Sequence, residues 1–301
     1  ILEIKRINFS NYGYKKNKVT GEIFDKKFEA FIKKDKNLNF KILNTGINAN
    51  FTFDQIENLN STSGSSKISI LKNYLNLNFK TLNDQIEIKN SNLKNKNLSI
   101  NFDSLIKFNP YFEINSKIYI NKLDKKLVDN KNIEKIIRNH EILKKFNSKN
   151  KINYKKKRPG NNLVHNYISE FDLSHGRLIF FNKIFILGGE IECKGDTLLV
   201  EEYPRLNFDC FFDIKDKNKI FRKLSISKKS DQNSINFKIV GSLNLLNNKI
   251  NLETINIDKK SISKEEDINF FKETFERILF DENFIKIFKT KKIKKFILEI
   301  V

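Results

Sequence analysis

The stretch "LSINFDSLIKFNPYFEINSKIYINKL", from Leu98 to Leu123, alternates apolar and polar residues with a period of two. Such alternation is typical of β-strands that have one dry face and one face in water. Apart from Ser104 and Ser116, the dry side carries large apolar residues: Leu98, Ile100, Phe102, Ile106, Phe108, Phe112, Ile114, Ile118 and Ile120. Because Pro110 cannot donate to a strand ladder, the Asn109–Pro110 step predicts a turn between two long strands.

The same pattern recurs along most of the chain. Runs such as "LEIKRINF", "NLNFKILN" and "YLNLNFK" alternate in the first half, and the small polar stretch "NLNSTSGSSK" at 58–67 predicts a loop between strands. In the second half, "SINFKIVGSLNLLNNKINLETINID" has the same hairpin pattern, with Ile235, Phe237, Ile239, Leu243 and Leu245 on its apolar side. The sequence therefore predicts a mainly β protein, a long twisted antiparallel sheet of repeated hairpins curled into an apolar groove.

A few helices interrupt this pattern, in the middle and near the C-terminus. Apolar residues at helical spacing predict one helix over 131–146, and a capping box formed by Ser263 and Glu266 predicts another after it. The final residues "KKFILEIV" predict a last strand. Four segments result: a hairpin groove at 1–130, a helical insertion and basic loop at 131–160, continued hairpins at 161–260, and C-terminal helices with the last strand at 261–301.

The net charge of +21 fits a nucleic-acid or anionic-membrane partner, yet it has a simpler explanation. Lys, Asn, Ile and Phe dominate together, as an AT-rich genome imposes, and the basic excess is spread along the chain. The one dense run, "KKKR" at 155–158, is interpreted as a solvated turn. Tyr119 is an aromatic on the wet face, but most Phe residues lie on the dry face, so no nucleic-acid partner is predicted.

No window of the sequence has the 18 uncharged apolar residues of a transmembrane helix, and no signal peptide is evident. The chain contains no Met, which indicates an internal piece of a longer protein, with Ile1 as a cut end. A membrane anchor or a signal peptide could then lie upstream.

Two cysteines, Cys193 and Cys210, lie in phase with apolar neighbours on alternating strands. Neighbouring antiparallel strands could bring them within bonding distance, so a disulfide fits an oxidising compartment. Two small buried hydrophobic side chains fit the same pattern, and this second interpretation is preferred because position alone fixes no partner.

The search for catalytic residues finds none. The three histidines, His140, His165 and His175, show no metal-ligand spacing, so neither a metal site nor a cofactor is predicted. "SHGR" at 174–177 lacks the flanking glycines of a nucleophile elbow and is interpreted as a turn into the strand "RLIFF". The chain is therefore predicted not to be an enzyme, and its large apolar face becomes the candidate functional feature.

The hairpins at "IEIKNSNLKNKNLSINFDSLIKFNPYFEINSKIYI", "EIECKGDTLLVEEYPRLNFDCFFDI" and "NFKIVGSLNLLNNKINLETINID" resemble the C-terminal region of the AsmA family of bacterial envelope proteins. The shared elements are the repeated hairpins, a strand of the form "hydrophobic-x-G-x-L-x-L" before a polar turn, and a terminal helix. The resemblance implies an inner-membrane anchor, a periplasmic body and a groove that conducts phospholipid during outer-membrane homeostasis. It thus implies phospholipid as the ligand and the inner and outer membranes as partners, while this chain lacks the anchor.

Three hypotheses follow from these observations. The first is a periplasmic lipid-binding groove whose apolar hairpin residues contact acyl chains, which needs no catalytic residue. The second is a structural or assembly factor of the envelope, in which the sheet packs on its own helices and binds protein partners. The third is a basic nucleic-acid-binding β-protein. The simplest alternative for the apolar face itself is an ordinary two-layer core.

Overall fold

The computed structural model describes residues 4–11, 16–33, 36–54, 61–123, 140–155, 163–227, 233–247, 249–258, 260–262, 268–274, 291, 294–295 and 298. Contacts divide the chain into two compact units, Ile1–Asp124 (unit 1) and Lys125–Val301 (unit 2), which are described separately. The predicted segment 1–130 contains all of unit 1.

The described part of unit 1 consists of strands and turns. The strands are β1 (Ile4–Asn11), β2 (Lys16–Ile23), β3 (Lys26–Lys33), β4 (Asn37–Ile42), β5 (Ile47–Phe53), β6 (Ser61–Ile70), β7 (Asn73–Leu82), β8 (Gln85–Lys94), β9 (Leu98–Lys107) and β10 (Glu113–Leu123). Each of the described pairings joins strands that are consecutive in the chain, and all are antiparallel. Unit 1 is therefore a meander of hairpins.

Tight turns connect these strands because residues at the turns adopt positive φ. Phe24 and Asp25, with φ of 51° and 55°, link β2 to β3 in two residues. Two consecutive positive φ angles give a turn whose twist matches that of the flanking strands. Asn44 and Gly46 supply positive φ between β4 and β5, where Asn and Gly are the residues that tolerate it best.

The loop expected at 58–67 is wrong in its described part, because residues 61–67 belong to β6. Small residues are needed in this strand because it lies between aromatic neighbours. Gly64 is opposite both Phe53 and Phe79, and a Cβ at Gly64 would lie 2.3 Å from the carbonyl oxygen of Thr52. A run of Ser and Gly here is therefore a requirement of strand packing rather than a loop signal.

Unit 2 contains a second meander and short helices. Its described elements are α1 (His140–Lys145), β11 (Asn147–Lys155), β12 (Val164–Ser174), β13 (Arg177–Ile186), β14 (Gly189–Leu198), β15 (Arg205–Ile214), α2 (Lys217–Leu224), β16 (Ile235–Asn244), β17 (Ile250–Ile257) and β18 (Lys260–Ile262). The described strand pairings are again antiparallel between consecutive strands. Residues 268–274 form a further helical segment.

Helix α2 is well defined by its ends. The Asp216 carboxylate accepts a hydrogen bond from the backbone N–H of Lys219 at 3.1 Å, which satisfies one of the free donors of the first turn. Ser225 ends the helix in the left-handed conformation, and its N–H donates to the carbonyl of Arg222. Ile220, Phe221 and Leu224 form the buried side of the helix.

The helix predictions have mixed outcomes. The helix expected over 131–146 is confirmed at α1, while 131–139 lies outside the described residues, as does the capping box at Ser263. Residues 268–274 confirm the later helix. The predicted last strand is wrong, because Lys294, Lys295 and Leu298 are helical. In this stretch the apolar residues at 296, 297, 300 and 301 also recur at the helical spacing of three and four residues.

The predicted fold class is confirmed. The protein is mainly β: each unit is built from a series of antiparallel hairpins, and helices lie in the middle of the chain and near its C-terminus. The basic run at 156–158 lies outside the described residues, and Lys155 is the last residue of β11.

Candidate functional site

One row of apolar side chains crosses unit 1 from its first strand to its last. Strand registers place one member from each strand directly opposite the next: Phe9, Val19, Ala30, Phe40, Ala49, Ile68, Leu75, Leu93, Ile100 and Ile120. The row is unbroken because the same phase of alternation is kept through nine consecutive pairings. We call this side of the sheet the apolar face of unit 1.

The row is long on the scale of a lipid. Neighbouring strands lie about 4.8 Å apart, so nine spacings give a path of about 43 Å measured across the strands. Flanking rows on β4–β10 are also rich in Phe, Ile and Leu, for example Phe51, Leu77 and Phe102. Most of these side chains are half-buried. The described residues of unit 1 include no helix that could cover them.

The predicted hairpin lies at the β10 end of this face. Ile100, Phe102 and Ile106 on β9 stand opposite Ile120, Ile118 and Ile114 on β10, and all six are half-buried. The two interrupting serines also meet, because the hydroxyl groups of Ser104 and Ser116 lie 2.8 Å apart and are hydrogen-bonded. The register thus pairs polar with polar and apolar with apolar across the hairpin.

The apolar residues at the ends of the predicted hairpin differ in solvent exposure. Leu98 is half-buried opposite Leu123. Phe108 and Phe112 flank the turn at Asn109 and Pro110, where their rings are 6.0 Å apart and their side chains are exposed. The turn predicted from Pro110 is confirmed, and the two arms have 10 and 11 residues.

Small residues form the deepest part of the apolar face, and the sequence reasoning missed them. Ala30, Ala49, Ser66 and Ser91 are buried. Three larger residues of the same face, Ile23, Phe28 and Ile42, are buried as well and form a packed cluster on β2–β4. Ser66 lies opposite Phe51 and Leu77, so the bulk of its neighbours covers it. In the sequence, such a residue could be recognised as a small side chain at an alternation position that apolar residues occupy on the adjacent strands.

In unit 2, helices cover much of the side of the sheet that carries the apolar residues, which we call the apolar face of unit 2. Three clusters are involved. Helix α2 packs its buried side on Ile186 and Ile214, and α1 packs Leu143 on Leu173 and Leu199. Residues Ile268 and Phe271 pack on Ile250, Leu252 and Ile255 of β17. This part of the sheet therefore resembles an ordinary two-layer core.

Four of the five predicted groove residues of unit 2 pack against these clusters. Ile235 and Phe237 pack against the α2 cluster, Ile239 against the β17 cluster and Leu245 against the α1 cluster. Leu243 is only 5% exposed. The expectation that Leu243 lines an open groove is wrong, because its side chain is buried within unit 2.

The two cysteines are cross-strand partners. Cys193 on β14 lies directly opposite Cys210 on β15, and the two are joined by a disulfide. The preferred interpretation of two separate buried hydrophobic side chains is therefore corrected: both residues are half-buried and bonded. The position in phase was visible in the sequence, but the register between the strands was not.

The opposite face of unit 2 carries a ladder of ion pairs. Lys183 on β13 contacts Glu192 at 2.6 Å and Glu190 at 2.9 Å on β14, and Asp209 on β15 contacts Lys238 on β16 at 3.0 Å. The hydrogen bonds to Glu192 and then Glu190 raise the pKa of Lys183 above its ordinary value. This face is open to solvent, and the exposed apolar side chains of Ile179, Phe181 and Phe211 lie among its ion pairs.

The motif "SHGR" is a turn, as predicted. His175 and Gly176, with φ of 49° and 85°, link β12 to β13, and the N–H of His175 donates to Asn147 at 3.0 Å. His165 lies half-buried on β12, and the side chain of His140 lies outside the described residues. Among the described residues, no group of three or more His, Cys, Asp or Glu is placed to hold a metal ion.

Of the helical segments that the structure describes, none combines the length and the hydrophobicity needed to cross a bilayer. Comparisons with family models, with curated proteins and with solved structures found no match to this chain. The apolar face of unit 1 is the candidate site that the chain's own geometry offers.

Proposed function

We propose that this chain is an AsmA-like envelope protein that binds phospholipid on the apolar face of unit 1 and conducts it across the strands, without catalysis. The observation that carries the proposal is the unbroken ten-strand apolar row, seven members of which are half-buried. In this role the protein works in the periplasm between the inner and outer membranes, attached to the inner membrane, and it serves outer-membrane homeostasis.

The energetics favour acyl chains as ligands of such a face. Each methylene removed from water contributes about 0.8 kcal/mol, so about ten methylenes contribute about 8 kcal/mol. Because the row has no charged member, an acyl chain meets the same apolar surface at every strand and can move from one to the next. The head group stays in water beside the sheet, where it needs no buried partner.

The test compares two substitutions on the same strand. Ile118→Asp places a charge on the apolar face, whereas Tyr119→Asp places it on the polar face, where Tyr119 is 47% exposed. Both variants would be incubated with fluorescent acyl-labelled phosphatidylcholine, and bound lipid would be measured after vesicles are removed. We expect Ile118→Asp to lose at least about tenfold in lipid affinity, since a desolvated carboxylate is costly, and Tyr119→Asp to match the unmodified protein.

Equal lipid uptake by the two variants would contradict the proposal. So would mass spectrometry of gently purified protein that finds no co-purified phospholipid. Each variant would first be checked by circular dichroism, so that loss of the sheet is not mistaken for loss of the binding surface.

A second function is favoured by the helix-covered clusters of unit 2. There the sheet packs on its own helices, which suits a structural or assembly factor of the envelope that binds protein partners. Chemical crosslinking in cell envelopes distinguishes this function: protein adducts that form equally in the Ile118→Asp variant, with no bound lipid in either sample, would favour assembly over lipid transfer.

A further inference from the structure

Helix α2 has a strongly basic outer side. Lys219, Arg222 and Lys223 are spaced three and four residues apart, so they share one side of the helix, opposite the buried Ile220 and Leu224. Together with Leu187 and Ser225 they line a depression of about 490 Å³ that is open to solvent. We call this depression the α2 basic pocket.

The charge of the pocket is only partly balanced. Asp216 contacts the ammonium of Lys219 at 3.2 Å, and the lining contains no carboxylate among the described residues. Lys294 adds a fourth cation at the rim, where its ammonium donates to the carbonyl of Ser225 at 2.9 Å. Desolvation raises the pKa of Asp216, but the hydrogen bonds from Lys219 and the charges of Lys219 and Arg222 outweigh it, so this pKa is lowered and Asp216 is ionised at neutral pH.

The chemistry of the pocket suits a phosphate group. Arg presents a planar set of donors that matches phosphate oxygens, and Lys adds mobile point charges beside it. The opposite side of the same helix packs on Ile186 and Ile214 of the sheet. This packing holds the basic side of α2 toward the solvent.

We propose that the α2 basic pocket binds the phosphate of an anionic phospholipid head group and so gives the protein a preference for anionic lipids. This inference rests on the proposed lipid-binding function and names the head-group class that the protein selects. Free phosphate esters share the chemistry, so the experiment must separate the two sources.

The experiment uses the full chain and vesicle flotation. Vesicles of phosphatidylcholine with phosphatidylglycerol are compared with pure phosphatidylcholine vesicles at low and high salt. The variant K219Q/R222Q/K223Q removes the three lining cations. The control K36Q/K67Q/K94Q removes the same charge from exposed lysines of unit 1. We expect the pocket variant to bind anionic vesicles at least about tenfold more weakly, and the control to stay within about twofold of the unmodified protein.

Added salt should weaken the binding of the unmodified protein to anionic vesicles, because partly exposed charges are screened. Equal losses in the two triple variants would overturn the proposal, since net charge alone would then explain the attraction. Tight binding of glycerol 3-phosphate in solution, with no preference for anionic vesicles, would overturn the lipid as the source of the phosphate.

Failure of this inference is distinguishable from failure of the proposed function. Uptake of neutral phosphatidylcholine reports the apolar face of unit 1 and should be unchanged in K219Q/R222Q/K223Q. If Ile118→Asp leaves neutral uptake intact, the proposed function fails. If neutral uptake depends on Ile118 but K219Q/R222Q/K223Q keeps the full preference for anionic vesicles, only the pocket assignment fails.

Discussion

At the scale of single residues, glycines on the apolar faces lie under phenylalanine rings from the neighbouring strand. Gly21 is opposite Phe28, Gly64 is opposite Phe79, and Gly195 is opposite Phe180. A Cβ at Gly21 would lie 2.7 Å from a ring carbon of Phe28, which is closer than packed atoms approach. The ring covers backbone that glycine would otherwise leave exposed, and this arrangement explains why glycine is present inside these strands.

This contact predicts that a smaller residue at Phe28 can restore part of the stability lost by a substitution at Gly21. Gly21→Ala should destabilise the protein by about 1–3 kcal/mol through overpacking, and adding Phe28→Leu should recover part of that loss, because the closest atoms belong to a side chain. At Gly195 the closest atom is the backbone oxygen of Asn207 at 2.0 Å, so Phe180→Leu should not rescue Gly195→Ala. Urea unfolding of the single and double variants at each site measures the recovered stability. Equal recovery at Gly21 and Gly195 would contradict the explanation that the Phe28 ring causes the overpacking at Gly21.

The disulfide gives a second prediction at this scale. Cys193 and Cys210 are 17 residues apart, and closing a loop of that length in the unfolded chain contributes about 3 kcal/mol to stability. We expect C193A/C210A to lower the free energy of unfolding by about that amount, and reduction of the unmodified protein to give a similar loss. Thiol titration in denaturant should find no free thiol, and two free thiols would refute the bond.

At the scale of elements, ion pairs join β13 to β14 on the wet face through Lys183. Because the pKa of Lys183 is raised in the folded state, its pairs with Glu192 and Glu190 stabilise the fold below the ordinary lysine pKa of about 10.4. This contribution is lost as pH rises through the raised value.

Lys183→Gln should therefore lower Tm at pH 8, and the difference from the unmodified protein should shrink as pH rises above about 10.4. Lys194→Gln is the matched control, because Lys194 is more exposed and lies 4.0 Å from Asp209. Thermal melts across this range measure the effect. A Tm difference for Lys183→Gln that stays constant up to strongly alkaline pH would show that packing of the lysine side chain, rather than its charge, stabilises the hairpin.

At the scale of the whole molecule, each strand of the unit 1 meander is held by its neighbours in the chain. Strand β7 has described partners on both sides, β6 and β8, whereas β1 has one described partner, β2. Local opening needs fewer broken hydrogen bonds at a strand with one partner.

Hydrogen exchange should therefore be faster in β1 than in β7. Mass spectrometry of peptides from the full chain measures this order. Equal protection of β1 and β7 would mean that a further strand pairs with β1. If lipid binds the apolar face, added phospholipid should slow exchange across β4–β10 more than in β1.

Alternation and turn chemistry in the sequence predict most of the strands, their dry faces and the turn at Pro110, because both are local properties of a few consecutive residues. What covers a dry face depends instead on contacts between segments distant in the chain. The residues next to Leu243 in the sequence do not indicate that its side chain is buried. In a second example, the helix that packs on Ile186 and Ile214 starts only at Lys217. Three further features depend on strand register and on partners distant in the chain, which a period of two cannot specify. They are the bond between Cys193 and Cys210, the strand at Ser61–Ile70 and the helical C-terminal residues.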